Sequence, residues 1–329
     1  MHRNGSAIAY GVEVAAVLII GGACAGTVPG GHEEHTAQGV MQKAEQAEAP
    51  EFKRRLAILK GNEDRDNKYL STVLINDDDP QGECSGVFAS PQVVITAAHC
   101  LCAERRLSTL EERGRATVRD KDAQGIADAT ACAKNASVKL FRYVREENGE
   151  GRWLPAGAFM GEAFPHAQFE LLFDKQHNVV WGHADLAAII LSSPVNGIDY
   201  VKIPGSEITE NAAVLTAGYG WSKTKGGSSG VRRFGSNTVR RVETSKAGEV
   251  MFRTEPGRGA QVFEGDSGGP CLNAQGDTLV GITSSYGIRG NPASFSDADV
   301  LSIFTSAYYH RAWLDKMIRR AGEPHKATR

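Results

Sequence analysis

The sequence predicts an all-β fold, and three observations support this prediction. From residue 69 the chain consists of short apolar and β-branched runs separated by turn residues, as in Tyr69–Ile75 followed by Asn76–Pro80. Glycine is abundant, at 37 residues, which favours many tight turns. The chain has 329 residues, 41% of them hydrophobic, so it can bury a sizeable core, and single all-β domains often reach about 200–250 residues.

The strand-like runs fall into two groups on either side of a connecting segment at residues 192–211. The first group includes Cys84–Ala89 and Gln92–Thr96, and the second of these runs leads directly into Ala97-Ala98-His99-Cys100. A charged stretch at 103–135 is predicted to contain a short helix over Glu104–Arg113. Later, Asp185 opens the apolar run 186–191, as expected for a carboxylate at the edge of a buried strand.

A terminal helix is predicted after the second group of strands. The predicted strands of this group are Ala212–Tyr219, Thr238–Thr244, Glu249–Thr254, Leu279–Ser284 and Asp299–Phe304. In Ser306–Arg320 the apolar residues recur at helical spacing, which predicts a terminal helix that packs through one face.

The charge balance does not favour a nucleic-acid partner, because the formal net charge is only -2. Four pairs of arginines are scattered among acidic residues and are interpreted as solvated surface: Arg105-Arg106, Arg232-Arg233, Arg240-Arg241 and Arg319-Arg320. Cys100-Leu101-Cys102 is too tight for the usual zinc spacing, and His32 and His35 are three residues apart rather than four. We therefore expect no metal site.

The N-terminal region predicts export. Residues 1–25 resemble a signal peptide, with Arg3 before an apolar core at 15–20 and small residues after it. Ala23-Cys24-Ala25 fits an A-x-A cleavage site, whereas Gly-Ala-Cys also fits the end of a lipobox, which would make Cys24 a lipid anchor. Residues 26–57 are interpreted as a linker or propeptide, 58–322 as the folded domain and 323–329 as a tail. A secreted or cell-envelope protein is expected.

The segment Gly265-Asp266-Ser267-Gly268-Gly269-Pro270 places a serine between glycines. A serine hydroxyl needs a base and donors for a developing oxyanion before it can act as a nucleophile. The glycines permit a backbone path that could direct the amides of Gly265 and Ser267 at one point. The alternative is a glycine-rich turn with no chemical role.

Taken together, Thr96-Ala97-Ala98-His99-Cys100, Asp185-Leu186-Ala187 and Gly265–Pro270 resemble the trypsin/chymotrypsin-like serine proteases, over about residues 58–320. The resemblance implies an all-β fold of two packed six-stranded antiparallel β-barrels with a C-terminal helix. It implies that Ser267 is the nucleophile, that His99 is its general base and that Asp185 orients His99. The amides of Gly265 and Ser267 would form the oxyanion hole.

The same resemblance implies further features. Ser285, Tyr286 and Gly287 correspond to the strand that binds substrate by β-addition, with Ser284 as the alternative start. Cys84 and Cys100 correspond to the disulfide beside the histidine. Cys102 with Cys132 is a candidate second pair that the family motif does not imply. No metal or organic cofactor is implied. The expected partner is a peptide or protein substrate, and a monomer is expected.

Three departures from the family pattern affect substrate preference. Gln261 stands where an Asp would select basic side chains, so cleavage after Lys or Arg is not expected. Phe263 replaces the usual cysteine of the disulfide that braces the specificity pocket. Arg289 follows the substrate strand and either selects acidic side chains or is a surface residue. Cys271 has no evident partner and is expected to be a buried free thiol.

The family often matures by a cut that frees an apolar amino terminus, which pairs with the Asp before the nucleophile. Asp266 is in that position, and Ile58 begins a segment that vaguely resembles the mature terminus. A cut after Arg55 would instead expose Leu56.

The predicted function is a secreted serine endopeptidase that uses a His-Asp-Ser triad and an acyl-enzyme intermediate. Two alternatives are a catalytically silent, protease-like binding protein and a serine esterase. The esterase rests on G-x-S-x-G at 265–269, but in α/β-hydrolases the acid and His follow the Ser, whereas here they precede it.

Overall fold

The structure is a computed structural model that describes the strand Ala16–Leu18 and residues 58–75, 83–147, 149–220, 230–289, 296 and 298–322. Its strands, in chain order, are β1 (Ala16–Leu18), β2 (Asn62–Glu63), β3 (Thr72–Ile75), β4 (Cys84–Ser90), β5 (Val93–Thr96), β6 (Arg105–Arg106), β7 (Gly125–Asp128), β8 (Asn135–Arg145), β9 (Gly151–Pro165), β10 (Glu170–Phe173), β11 (Val179–His183), β12 (Ala187–Leu191), β13 (Ala213–Gly218), β14 (Arg233–Thr244), β15 (Val250–Thr254), β16 (Pro270–Asn273), β17 (Leu279–Ile288) and β18 (Val300–Ser306). The helices of this part of the chain are α1 (Leu110–Arg119), α2 (Arg311–Ala321) and a 3-10 turn at Ala98–Cys100.

Two closed antiparallel β-barrels of six strands each form the body of the protein, as the sequence predicts. The first contains β12, β5, β4, β3, β8 and β9 in spatial order. The second contains β17, β16, β13, β14, β15 and β18, and pairing of β17 with β18 closes it. Closure pairs each barrel strand with a neighbour on both sides, and β8 and β9 extend beyond the first barrel as a hairpin over residues 140–145 and 151–160.

The barrels pack through buried apolar side chains, and β3, β5 and β12 are buried along their whole length. One continuous cluster joins Val87 and Ile95 of the first barrel to Leu215, Leu272 and Ile282 of the second. Hydrogen bonds also cross the interface, because the amide of Ser85 in β4 donates to the carbonyl oxygen of Ser267 at 2.7 Å. The loops at this interface are therefore held by both barrels.

A smaller antiparallel sheet lies beside the first barrel, in the order β11-β10-β7-β6, and α1 is associated with it. The helix spans Leu110–Arg119 rather than the predicted Glu104–Arg113, so that prediction is wrong in its position. Thr109 caps the helix: its hydroxyl accepts from the amide of Glu112, whose side chain accepts from the amide of Thr109. This capping box fixes where the helix begins.

The terminal helix α2 packs against the first barrel, and its buried residues are Leu314 and Met317. It begins five residues later than predicted, at Arg311. None of the helices in the described ranges is long and apolar enough to cross a bilayer.

The cysteines follow the predicted arrangement where the structure describes them. Cys84 is bonded to Cys100 and Cys102 to Cys132. Cys271 is a free thiol that is completely buried in the second barrel, and burial raises its pKa well above the ordinary value. Cys24, with most of the predicted signal, the linker 26–57 and the tail 323–329, lies outside the described residues.

One of the arginine pairs is not solvated surface. Arg232 is fully buried, and its Nε donates to Oδ2 of Asp64 at 2.8 Å. It also donates to the hydroxyl of Tyr219 and the carbonyl oxygen of Phe141. The prediction for this residue is therefore wrong: a charged guanidinium is tolerated in the interior because a carboxylate and other acceptors surround it.

Candidate active site

His99 lies in the 3-10 turn that follows β5. The pairing of β5 with β12 places Thr96 opposite Ala187, so the turn after β5 and the residues before β12 meet at one end of the first barrel. Cys100 joins this turn to β4 through its disulfide with Cys84. The position of His99 next to Asp185 thus follows from strand register.

Asp185 is buried, at 2% exposure, and it contacts His99 twice. Its Oδ2 is 2.8 Å from Nδ1 of the imidazole, and its Oδ1 accepts from the His99 amide at 3.0 Å. The Ser284 hydroxyl donates to Oδ2 at 2.7 Å. Burial alone would raise the pKa of Asp185, but the charge of His99 and these hydrogen bonds lower it. An ionised Asp185 that holds Nδ1–H leaves Nε2 of His99 to act as a base.

Ser267 lies in a turn whose conformation depends on two glycines. Gly265 and Gly268 have φ of 83° and 77°, in the left-handed region that glycine adopts without a Cβ penalty. A Cβ at Gly268 would be 2.1 Å from Oγ1 of Thr96 and 2.8 Å from the amide nitrogen of Ala97. Close approach of this glycine brings the serine turn against the segment that carries His99.

The amides of this turn divide into two kinds. Those of Asp266 and Gly268 donate to the carbonyl oxygens of Phe263 and Thr283. The amides of Gly265 and Ser267 donate to no acceptor within the described part of the chain. Two unused amides beside a serine hydroxyl are the arrangement that an oxyanion hole requires.

His99 and Ser267 are not hydrogen-bonded to each other. Within the described ranges, the Ser267 hydroxyl has no hydrogen-bond partner, and His99 Nε2 lies 3.9 Å from Sγ of Cys100. Catalytic hydrogen bonds are often long in unliganded enzymes and shorten in the substrate complex. The structure therefore joins His99 to Asp185 by direct contact, and it brings the Ser267 turn alongside them.

Asp266 is fully buried beneath the serine turn, and its carboxylate accepts three amides. Oδ2 accepts from Ile58 at 2.9 Å and Phe263 at 3.0 Å, and Oδ1 accepts from Gly220 at 2.9 Å. Burial raises the pKa of Asp266 to about 6, although the hydrogen bonds act in the opposite direction. A Cβ at Gly218 would lie 2.3 Å from Oδ1 and one at Gly220 would lie 2.7 Å from it, so these two glycines leave the space for this carboxylate.

Gln261 is buried in the second barrel and its amide is occupied by protein groups. Its Oε1 accepts from the hydroxyls of Thr254 and Ser302, each at 2.7 Å, and its Nε2 donates to the carbonyl oxygen of Glu255 at 2.7 Å. Nearby, the rings of Phe263 and Tyr286 are 4.8 Å apart at their centroids. Gln261 thus supplies no charge for a basic side chain, and Phe263, at the position of one missing cysteine, packs against the ring of Tyr286.

The residues of the expected substrate strand lie in β17. One edge pairs with β18, where Tyr286 is opposite Ser302. At the other edge β1 adds as an antiparallel strand, with Val17 opposite Gly287 and Leu18 opposite Tyr286. This edge therefore accepts an extended segment through its backbone. Ser284, treated in the sequence only as the alternative start of the strand, is the residue whose hydroxyl contacts Asp185.

In the described part of the chain, the only cluster with ligand atoms close enough for a metal ion is Cys84, His99 and Cys100. The two sulfurs of this cluster form a disulfide, which leaves His99 as a single ligand. These residues do not fit a metal centre.

A family model described as a trypsin-like peptidase domain matches residues 84–282. The chain belongs to this family. The matched region begins at β4, where Cys84 forms its disulfide with Cys100, and it contains His99, Asp185 and Ser267. It ends within β17, two residues before Ser284.

Proposed function

We propose that the protein is an exported serine endopeptidase that hydrolyses peptide bonds through Ser267, His99 and Asp185. The observation that carries the proposal is the 2.8 Å contact between His99 Nδ1 and the buried Asp185 carboxylate, beside the glycine-bounded turn of Ser267. The family of the chain supports peptidase chemistry.

In the proposed reaction the Ser267 oxygen attacks the scissile carbonyl carbon while Nε2 of His99 takes the hydroxyl proton. The carbonyl oxygen becomes an oxyanion that accepts from the amides of Gly265 and Ser267. His99 then gives the proton to the departing amine, which leaves an ester on Ser267. Water attacks this ester with the help of His99, releases the carboxylic acid and restores the serine. Asp185 stabilises the charged imidazole in both steps.

The substrate in this proposal is an extended peptide that pairs with the edge of β17 at Tyr286 and Gly287. Support comes from the strand β1, which adds to the same edge. We expect a monomer that acts on peptides or proteins and binds no nucleic acid, in keeping with the net charge of -2. We base export on the signal-like residues 1–25. This segment is either removed by cleavage or leaves Cys24 as a lipid anchor.

Labelling by a fluorophosphonate tests the nucleophile. Wild type should be labelled and Ser267→Ala should not, whereas Ser193→Ala, which removes an exposed hydroxyl, should be labelled like wild type. Peptide-library cleavage by the unlabelled wild type then tests the reaction. Equal labelling of wild type and Ser267→Ala would exclude Ser267 as the nucleophile, and labelling without peptide cleavage would favour an esterase.

A second candidate is a protease-like binding protein without catalysis. The observation in its favour is the absence of a hydrogen bond between the Ser267 hydroxyl and His99 in the described residues. This candidate predicts no labelling of the protein, either before or after cleavage ahead of Ile58.

A further inference from the structure

Glu249 is a buried carboxylate at the turn between β14 and β15, at 1% exposure. The turn is fixed at both ends, because the Ser245 amide donates to the Glu249 carbonyl oxygen at 2.7 Å and the Glu249 amide donates to Oγ of Ser245 at 3.3 Å. A buried carboxylate must be compensated by donors or cations. The partners of Glu249 therefore show what it stabilises.

Those partners belong to two other segments of the chain. Oε1 is 2.6 Å from Nε2 of His310, the residue that precedes α2. Oε2 accepts from the Ala184 amide at 3.1 Å and lies 3.8 Å from Nδ1 of His183. One carboxylate thus joins a second-barrel hairpin to the start of the terminal helix and to the segment immediately before Asp185.

Ala184 has an unusual backbone. Its φ is 52°, in the left-handed region, although it is not glycine, and it is fully buried. The Leu186 amide donates to its carbonyl oxygen at 2.7 Å, so Asp185 occupies the centre of a tight turn. A left-handed non-glycine residue persists only where its surroundings hold it in place, and such residues concentrate at functional sites.

The residue on the other side of this turn, Leu186, is held by His166. The His166 amide donates to the carbonyl oxygen of Leu186 at 2.8 Å. The ring of His166 lies 5.2 Å from the ring of His310, which contacts Glu249. One end of the turn around Asp185 is thus held directly by Glu249, and the other end is held by His166, whose ring packs against a partner of Glu249.

We propose that Glu249 is a positioning residue for Asp185: its carboxylate holds the Ala184 amide, and this contact keeps the Asp185 turn in the conformation that meets His99. The inference rests on the proposed function, because it gives Glu249 a role in positioning a member of the triad. The side chain of Glu249 bonds to Ala184 and His310 and not to His99, so it acts on the triad through the turn.

Two substitutions separate the reach of the side chain from its charge. Glu249→Gln keeps an oxygen at the same distance from the Ala184 amide and removes the charge. Glu249→Asp keeps the charge and shortens the side chain by one methylene. If Glu249 positions the turn, Glu249→Asp should lower kcat by about tenfold with KM unchanged, and Glu249→Gln should stay within about threefold of wild type. If Glu249 only balances charge in the interior, Glu249→Gln should lower kcat more than Glu249→Asp does.

The control is Glu243→Asp, which shortens a half-exposed carboxylate of the same hairpin that pairs with Arg253. It should leave kcat unchanged. The second readout is the proton NMR signal of the His99 Nδ1–H, which reports the bond to Asp185 without turnover. We expect this signal to weaken or shift in Glu249→Asp and to persist in Glu249→Gln.

The outcomes distinguish this inference from the proposed function. If wild type cleaves no peptide, the proposed function fails, and the Nδ1 proton still decides whether Glu249 positions Asp185. If Glu249→Asp folds with an unchanged proton signal and unchanged kcat, the inference is overturned. A larger loss in Glu249→Gln than in Glu249→Asp would overturn it as well.

Discussion

The backbone amide of Ile58 donates to Oδ2 of Asp266, the residue before Ser267, across 2.9 Å and 208 positions of sequence. Ile58 is fully buried and has a φ of 43°, which is rare for a β-branched residue. The uncut chain therefore already presents the Ile58 nitrogen to a buried carboxylate. Two predictions concern this pair.

Asp266→Asn should flatten the pH dependence of stability in the acid range. Burial raises the pKa of Asp266 from 3.8 to about 6, so the folded uncut chain binds this proton more tightly than the unfolded chain. The stabilisation from this proton is full below pH 3.8 and lost as the pH rises through about 6. It amounts to about 3 kcal/mol at most. Urea unfolding of wild type and Asp266→Asn at several pH values measures this stabilisation. If the unfolding free energies of the two proteins change in parallel with pH, the prediction is contradicted.

A cut before Ile58 should remove this pH dependence and raise peptidase activity. The cut turns the Ile58 nitrogen into an ammonium, and an adjacent positive charge lowers the pKa of Asp266. An inserted recognition site for a specific protease, with N-terminal sequencing, allows kcat/KM to be compared before and after cleavage. A cut that exposes Leu56 is the control, since two extra residues displace the ammonium. Equal activity of cut and uncut protein would refute the prediction.

Much of the site was predictable because its motifs reflect backbone constraints. Gly265 and Gly268 adopt φ values that favour glycine, and Gly218 leaves the space for Asp266. His99 and Asp185 were predictable because each lies beside the end of a strand, and those two strands are paired. Each motif is a short run of specific residue types, so it can be recognised in the sequence even though the contacts it makes are long-range.

Other features depend on contacts between residues far apart in the chain. Arg232 looked solvated because its carboxylate, Asp64, lies 168 residues away in sequence. Ser284 and Ser285 could not be separated because the pairing of β17 with β18 is irregular between Thr283 and Ser285, which defeats a simple count of alternating faces. The position of α1, in contrast, had a local signal in the capping box at Thr109 that the charge pattern obscured.

Arg232→Met should destabilise the protein by about 3–5 kcal/mol, because it leaves the buried carboxylate of Asp64 without its cation. Arg232→Met combined with Asp64→Asn should cost less than the sum of the single changes, since neither charge is then left alone. Denaturant unfolding of the two single variants and the double variant gives the coupling energy. Strict additivity would show that the pair does not interact.

Ser284→Ala should lower kcat/KM by about tenfold, because a hydrogen bond to a charged group contributes about 1.5–3 kcal/mol. The Ser284 hydroxyl is one of the groups that lower the pKa of Asp185. Its loss removes one of the contacts that keep this carboxylate ionised and in place beside His99. Ser236→Ala, which removes an exposed hydroxyl from the same barrel, is the control. An unchanged kcat/KM in Ser284→Ala, or a larger loss in Ser285→Ala, would contradict the prediction.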